Sequence, residues 1–275
     1  MKKILFASTA LVLTAGVAAA EISFGGSANF GIVDMDDGNG TVVKNEVDFD
    51  IKGSGETDGG LKFGASLDID GAFNNGTGAE GGTEGMVDDP EVYIEMGGLK
   101  LTVGPVDAAN DNEGLADIGF DGLGVDDVAE VSGNGSADVL VNYSFGDIAV
   151  AASADSSGND WAIGATGSFG DISFAAGYGE AGGQDEYNLH VGYTAGAISV
   201  GVQYSEDNET GYGFDVAYTQ GDLTVSAVYA KNDTTGADAY GVGASYSLGG
   251  GASIAGGFAE VNGASRYDLG MTFSF

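Results

Sequence analysis

The chain of 275 residues sets eight basic against 42 acidic residues, a formal charge of −34 at neutral pH, with 51 glycines and no cysteine. So large an acid excess excludes nucleic acid as a partner, because that binding rests on neutralised phosphates, and the missing thiols exclude disulfides, thiolate metal sites and a cysteine nucleophile. An apolar fraction of 43%, with 12 tyrosines and 14 phenylalanines, argues against the disorder that the charge alone would suggest.

At the start, Lys2 and Lys3 precede an apolar run over 4–17 and then Ala18, Ala19 and Ala20 before Glu21, the pattern of a cleaved secretory signal. Residues 1–20 are therefore set apart from the fold. The remaining chain, 21–275, has no long unbroken apolar stretch, so no helix is expected to cross a bilayer and only a barrel could.

Alternating segments then recur, beginning near residues 21, 44, 60, 90, 99, 136, 147, 161, 171, 186, 197, 211, 222, 238, 252 and 265. About ten residues rising roughly 3.3 Å each, tilted about 40°, cover the roughly 25 Å apolar band of a membrane barrel. The expected fold is all-β, a 16-stranded antiparallel transmembrane β-barrel. The first segment turns Ile22, Phe24, Ala28, Phe30 and Ile32 outward; the second Val47, Phe49 and Ile51; the third Leu61, Phe63, Leu67 and Ile69; the fifth Leu99, Leu101 and Val103. No tyrosine or tryptophan is among them. Later segments carry Trp161 and Tyr143, Tyr178, Tyr187, Tyr193, Tyr204, Tyr212, Tyr218, Tyr229, Tyr240, Tyr246 and Tyr267 on their apolar parity, with Ser, Thr, Asn, Asp and Gly on the other. Aromatic residues with polar tips favour the membrane–water boundary. The early segments are therefore expected to meet a partner subunit rather than lipid, in a closed symmetric oligomer.

The links alternate in length. Short glycine-containing ones fall at 97–98, 145–147, 169–171, 195–197, 220–222 and 249–251, where glycine supplies the positive φ of a tight turn. Longer polar links fall at 34–43, 72–88, 105–135, 155–160, 180–185, 205–210, 231–237 and 261–264. The short set is expected on the periplasmic side together with both termini, and the long set outside.

The link over 105–135 is the longest, and links beyond about 15 residues are usually functional or disordered. It holds Asp107, Asp111, Glu113, Asp117, Asp121, Asp126, Asp127 and Glu130 and no base, interleaved with Leu115, Ile118, Phe120, Leu123, Val125, Val128 and Val131. This mixture is expected to fold into the barrel mouth as a constriction, a solvated acidic flap being the alternative. Inward parity also places Lys44, Lys52, Lys62 and Lys100 in the lumen. Opposed acidic and basic walls would set up a transverse field, unless Glu46, Asp48, Asp50, Asp68 and Asp70 neutralise these lysines. The one histidine, His190, sits inward beside Glu186 and Asn188, with no nucleophile arrangement around it, so catalysis is not expected. Gly177-Tyr178-Gly179-Glu180-Ala181-Gly182 matches a dinucleotide fingerprint without a following helix, and Asp34-Met35-Asp36-Asp37-Gly38 lacks the sixth-position glycine and terminal glutamate of a calcium loop. No cofactor is expected; Ca2+ across the acidic loops is left open without a specific motif.

The stretch Tyr240-Gly-Val-Gly-Ala-Ser-Tyr-Ser-Leu-Gly-Gly-Gly-Ala-Ser-Ile-Ala-Gly-Gly-Phe258, with Gly60-Leu-Lys-Phe-Gly-Ala-Ser66, Val141-Asn-Tyr-Ser-Phe-Gly-Asp147 and the terminal Phe275, resembles the general diffusion porins of alphaproteobacteria, of the Rhodobacter type. The resemblance runs over essentially all of 21–275. It implies a trimer of sixteen-stranded barrels in the outer membrane, each with its third long loop, here 105–135, folded inward and its acids facing a basic wall. That wall is rich in arginine in the family, whereas here it would consist of the four lysines and Arg266.

The expected function is a water-filled, cation-selective pore for passive diffusion of small hydrophilic solutes and ions, in contact with membrane lipid and lipopolysaccharide. A substrate-specific channel would need aromatic residues in the lumen, where parity offers little beyond Tyr93. A plugged structural or adhesive barrel is the third reading.

Overall fold

The computed structural model describes residues 21–74, 88–112, 114–133 and 135–275. The expected signal segment, the middle of the second long link and Glu113 lie outside these residues. Sixteen strands follow in order: β1 Glu21–Asp34, β2 Val42–Glu56, β3 Lys62–Asn74, β4 Asp88–Met96, β5 Leu99–Val106, β6 Ala137–Phe145, β7 Ile148–Ala154, β8 Trp161–Phe169, β9 Ile172–Ala181, β10 Gln184–Ala195, β11 Ile198–Glu206, β12 Thr210–Gln220, β13 Leu223–Asn232, β14 Asp238–Gly249, β15 Ala252–Val261 and β16 Ala264–Ser274. Each starts within two residues of the position expected from alternation. Every strand pairs antiparallel with its sequence neighbours, and β16 returns to β1, so the sheet closes into a barrel. The seam runs from Ser27↔Ser274 to Asp34↔Tyr267, and Gly26 and Phe275 exchange two backbone hydrogen bonds of 3.0 Å at its end. Closure leaves no unpaired edge, the condition for a sheet to sit in hydrocarbon.

The two faces separate by parity. On β12, Phe214 is 53% exposed and Tyr218 47%, while on the other parity Gly211 and Gly213 are buried and Asp215 and Ala217 half-buried. Ten of the eleven late tyrosines are exposed on this outer face, and Tyr229 packs beside Phe214 with ring centroids 5.5 Å apart. Phe24, Phe30, Phe49, Phe63, Val92, Ile94, Met96, Leu99 and Val103 give β1–β5 an equally exposed apolar face without tyrosine.

At one end of the barrel, apart from the five residues 57–61 between β2 and β3, the links are two residues long. Gly97 and Gly98 (φ 60° and 86°) turn β4 into β5 with two residues, as a primed hairpin turn requires. At the other end two links expected to be long are equally short. Gly182-Gly183 (φ 59° and 83°) and Asn262-Gly263 (φ 55° and 80°) close β9–β10 and β15–β16, because both dipeptides favour the turn whose twist lets pairing run to the tip.

Because lipid-facing and inward residues alternate, Val202→Arg on the outer face of β11 should cost the inserted barrel about 2–4 kcal/mol. Denaturant titration in phospholipid vesicles measures this, and an unchanged midpoint would contradict the assignment of faces.

Candidate functional site

Between β5 and β6 the chain runs through 107–136, with a single 3-10 turn at Asp126–Val128. The apolar residues of this link are buried: Leu115 is 6% exposed, Ile118 1%, and Leu123 and Val125 0%. They form one cluster with Val228, Ala230, Ala239, Ala259 and Val261, which lie on the face of β13–β15 opposite the exposed aromatics. The link lies very close to this wall because the wall residues beneath it are small. A Cβ on Gly213 would stand 2.2 Å from Leu115 Cδ1, and one on Gly257 2.5 Å from Ile118 Cγ2. Sequence reading anticipated the apolar half of this contact, but not its receptor. The signal was present as glycine and alanine at the same height on the inward parity of adjacent strands: Gly211 and Gly213, Ala230, Ala239 and Gly241, Gly257 and Ala259.

Polar anchors run along the same contact. Ala109 N–H donates to Ser153 Oγ at 2.8 Å, and Val131 N–H to Ser205 Oγ at 3.1 Å. Glu186, 3% exposed, accepts from Asn110 Nδ2 (3.1 Å) and Gly133 N–H (2.9 Å). Asp268, 5% exposed, accepts from the backbone N–H groups of Phe120 (2.8 Å), Asp121 (3.2 Å) and Gly257 (2.8 Å). A buried carboxylate is tolerable only with such donors. Glu186 and Asp268 are thus structural sockets for the link, a role that inward parity alone did not distinguish from a solvated lumen acid.

Of the acids singled out in the link, Asp107, Asp111, Asp117 and Asp127 remain exposed, and Asp121 and Asp126 are half-buried. Burial, reinforced by the charge of Asp117, pushes the Asp126 carboxyl up to about 7. Carboxylate oxygens of Asp126, Asp127 and Glu130 lie within 4.8 Å of one another, a set of hard oxygen donors that could share a cation.

The bases do not form a separate wall facing these acids. Lys44 Nζ sits 2.7 Å from Asp121 Oδ2, and Arg266 Nη1 donates to Leu123 O at 2.9 Å, so both grip the link itself. Lys52 pairs with Asp50 at 3.2 Å, Lys62 with Glu95 at 3.4 Å, and the Lys100 ammonium lies 4.6 Å from the Tyr93 ring centroid. The inner face of β2–β4 carries Glu46, Asp48, Asp50, Asp68, Glu91 and Glu95 beside Lys44, Lys52 and Lys62. Ser27 Oγ donates to Asp48 at 3.0 Å and Asn29 Nδ2 to Glu46 at 3.1 Å, which steadies two of these carboxylates. The side chain of Asp70 lies outside what the structure describes. His190 stands over Gly201 beside Asp215: a Cβ on that glycine would be 2.9 Å from His190 Nε2 and 2.4 Å from Asp215 Oδ2.

A closed sixteen-stranded barrel, apolar outside and charged within, is the architecture of an outer-membrane channel. The Gram-negative porin family profile matches residues 7–267, and the chain belongs to that family, whose fold serves as a non-enzymatic channel. Among solved structures, a triple mutant of Rhodopseudomonas blastica porin is 25% identical with a TM-score of 0.79, covering 92% of this chain and 100% of its own. An engineered protein described for asymmetric conductivity is 26% identical with a TM-score of 0.80, covering 93% of this chain and 100% of its own. No curated protein matches the chain.

Two outcomes follow for the link. Ile118→Ala should weaken its docking by about 2–5 kcal/mol, the usual cost of emptying a packed site. Amides over 107–136 should then exchange faster while strand amides keep their protection, and equal loss in both would show that the link is not a separate unit. Because the Asp126 carboxyl is raised when packed, the docked link holds its proton across a range where the free link has lost it. Docking is therefore strongest in acid, below the ordinary carboxylate range, and weakens as pH climbs to about 7. Exchange over 107–136 against pH should show that slope, and Asp126→Asn should flatten it.

Proposed function

We propose that the protein is a water-filled pore for passive diffusion of small hydrophilic solutes, that the link over 107–136 folds into its lumen as the constriction, and that the pore prefers cations. The observation that carries this is the split character of the link. Its apolar side chains are buried against small wall residues, while Asp107, Asp111, Asp117 and Asp127 stay exposed. The inner face of β2–β4 is acidic on balance, and its three described lysines, Lys44, Lys52 and Lys62, are each paired with a carboxylate. A lumen with carboxylates on both sides concentrates cations rather than orienting dipoles between opposite charges. Such a pore needs no cofactor; Ca2+ shared by Asp126, Asp127 and Glu130 would add to the pinning of the link.

On this reading the pore is of the alphaproteobacterial type and its termini and tight turns face the periplasm. The tyrosine-free outer face of β1–β5 meets its counterparts in a homotrimer, and lipid and lipopolysaccharide surround the rest. Support for the trimer is the contrast between that face and the tyrosine-bearing face of β6–β16, since ring hydroxyls gain nothing at a boundary they never reach. A substrate-specific channel is favoured by one observation, the inward ring of Tyr93.

Planar-bilayer recording tests the proposal. In a salt gradient the reversal potential should favour cations, and deletion of 107–130 should raise both conductance and the size of excluded solutes. Anion preference would overturn the selectivity, unchanged exclusion would place the link outside the channel, and absence of steady conductance would leave a plugged barrel.

A further inference from the structure

Tyr93 is a large aromatic ring on the inward parity of β4, between Glu91 and Glu95 on the same face. Its pose is set by the strand beside it. Gly64 is its register partner on β3, and a Cβ there would stand 2.6 Å from Tyr93 Cε1, so the ring leans into space that any other residue would fill. From the opposite side, Lys100 on β5 places its ammonium 4.6 Å from the ring centroid. Lys100 is the register partner of Glu95, yet Glu95 Oε1 is engaged by Lys62 at 3.4 Å. The ring is partly exposed on this inner face.

We propose that Tyr93, Glu91 and Glu95 form an ammonium-binding station in the channel wall, and that the Lys100 side chain is a tethered occupant that solute ammonium groups displace. This rests on the pore reading and names its solute class: small organic cations bearing quaternary or primary ammonium groups. The ring face attracts the cation through its quadrupole, and the flanking carboxylates of Glu91 and Glu95 add negative charge, that of Glu95 shared with Lys62. At a partly exposed ring the Lys100 contact is weak, so an incoming ammonium exchanges with it readily. That suits a station on a diffusion path, where binding must favour entry without preventing exit.

The test is single-channel recording of the full-length barrel in planar bilayers in potassium chloride, with choline added to one side and block read relative to each protein's own current. The unmodified protein should show concentration-dependent block. Tyr93→Leu should weaken it by about two- to fivefold, the worth of an exposed cation–π contact, whereas Tyr93→Phe should retain it. Lys100→Ala should strengthen block by a similar factor, and the double variant Lys100→Ala/Tyr93→Leu should lose that gain. Equal block in all variants, or a gain surviving in the double variant, would overturn the station and leave the pore reading intact. A protein without potassium conductance would fail the pore reading itself, and this inference with it.

Discussion

In hydrocarbon no water is available to satisfy a peptide group, so a spanning sheet must pair every strand on both sides. All other features of this protein follow from that demand. Closure through β1 and β16 fixes an inside and an outside, and strict alternation then assigns each side chain to one of them. A one-residue slip would exchange the faces of a whole strand, turning Phe214 inward and Asp215 to lipid. The burial pattern shows no such slip, with Phe214 exposed and Gly213 buried.

With the wall fixed, the interior is specialised by small residues as much as by charged ones. Glycine and alanine on the inward parity of β12–β15 provide a shallow apolar seat, and Leu115, Ile118, Leu123 and Val125 fill it. The sockets at Glu186 and Asp268 set the register of the link along the wall, since each carboxylate accepts hydrogen bonds from it. Lys44 and Arg266 complete the grip from β2 and β16. Positive charge is thereby spent on holding the link in place, and the rest of the inner face of β2–β4 carries its carboxylates with Lys52 and Lys62, both paired.

The barrel was legible because its signal is repeated sixteen times and each segment needs only period-two alternation to be recognised. Turn positions followed wherever glycine marked them, except that Gly182-Gly183 and Asn262-Gly263 fall inside the longer links expected at 180–185 and 261–264. The site was legible in part. Apolar residues between acids in 107–136 pointed to a packed link, but parity could not tell an inward lysine on a free wall from one clamped to Asp121. It also could not separate Asp268 from other lumen carboxylates, since its burial depends on a backbone segment some 150 residues away in sequence, at Phe120. Long-range contacts of that kind leave no local pattern.

The seam between β1 and β16 joins the two extremes of the chain, Ser27 to Ser274. Loop-closure entropy makes such a pairing slow to form, and before it forms the growing sheet exposes two raw edges that any other strand could add to. β16 must therefore be made before the barrel can be sealed, and an escort that shields both margins is most needed until then. Phe275 extends the seam by one pair beyond Ser274, exchanging backbone hydrogen bonds with Gly26 and setting its ring edge-on to Phe49 at 5.8 Å. Removing Phe275 would take two backbone hydrogen bonds and one ring contact from that end of the seam, while the register from Ser27↔Ser274 onward would remain to hold it.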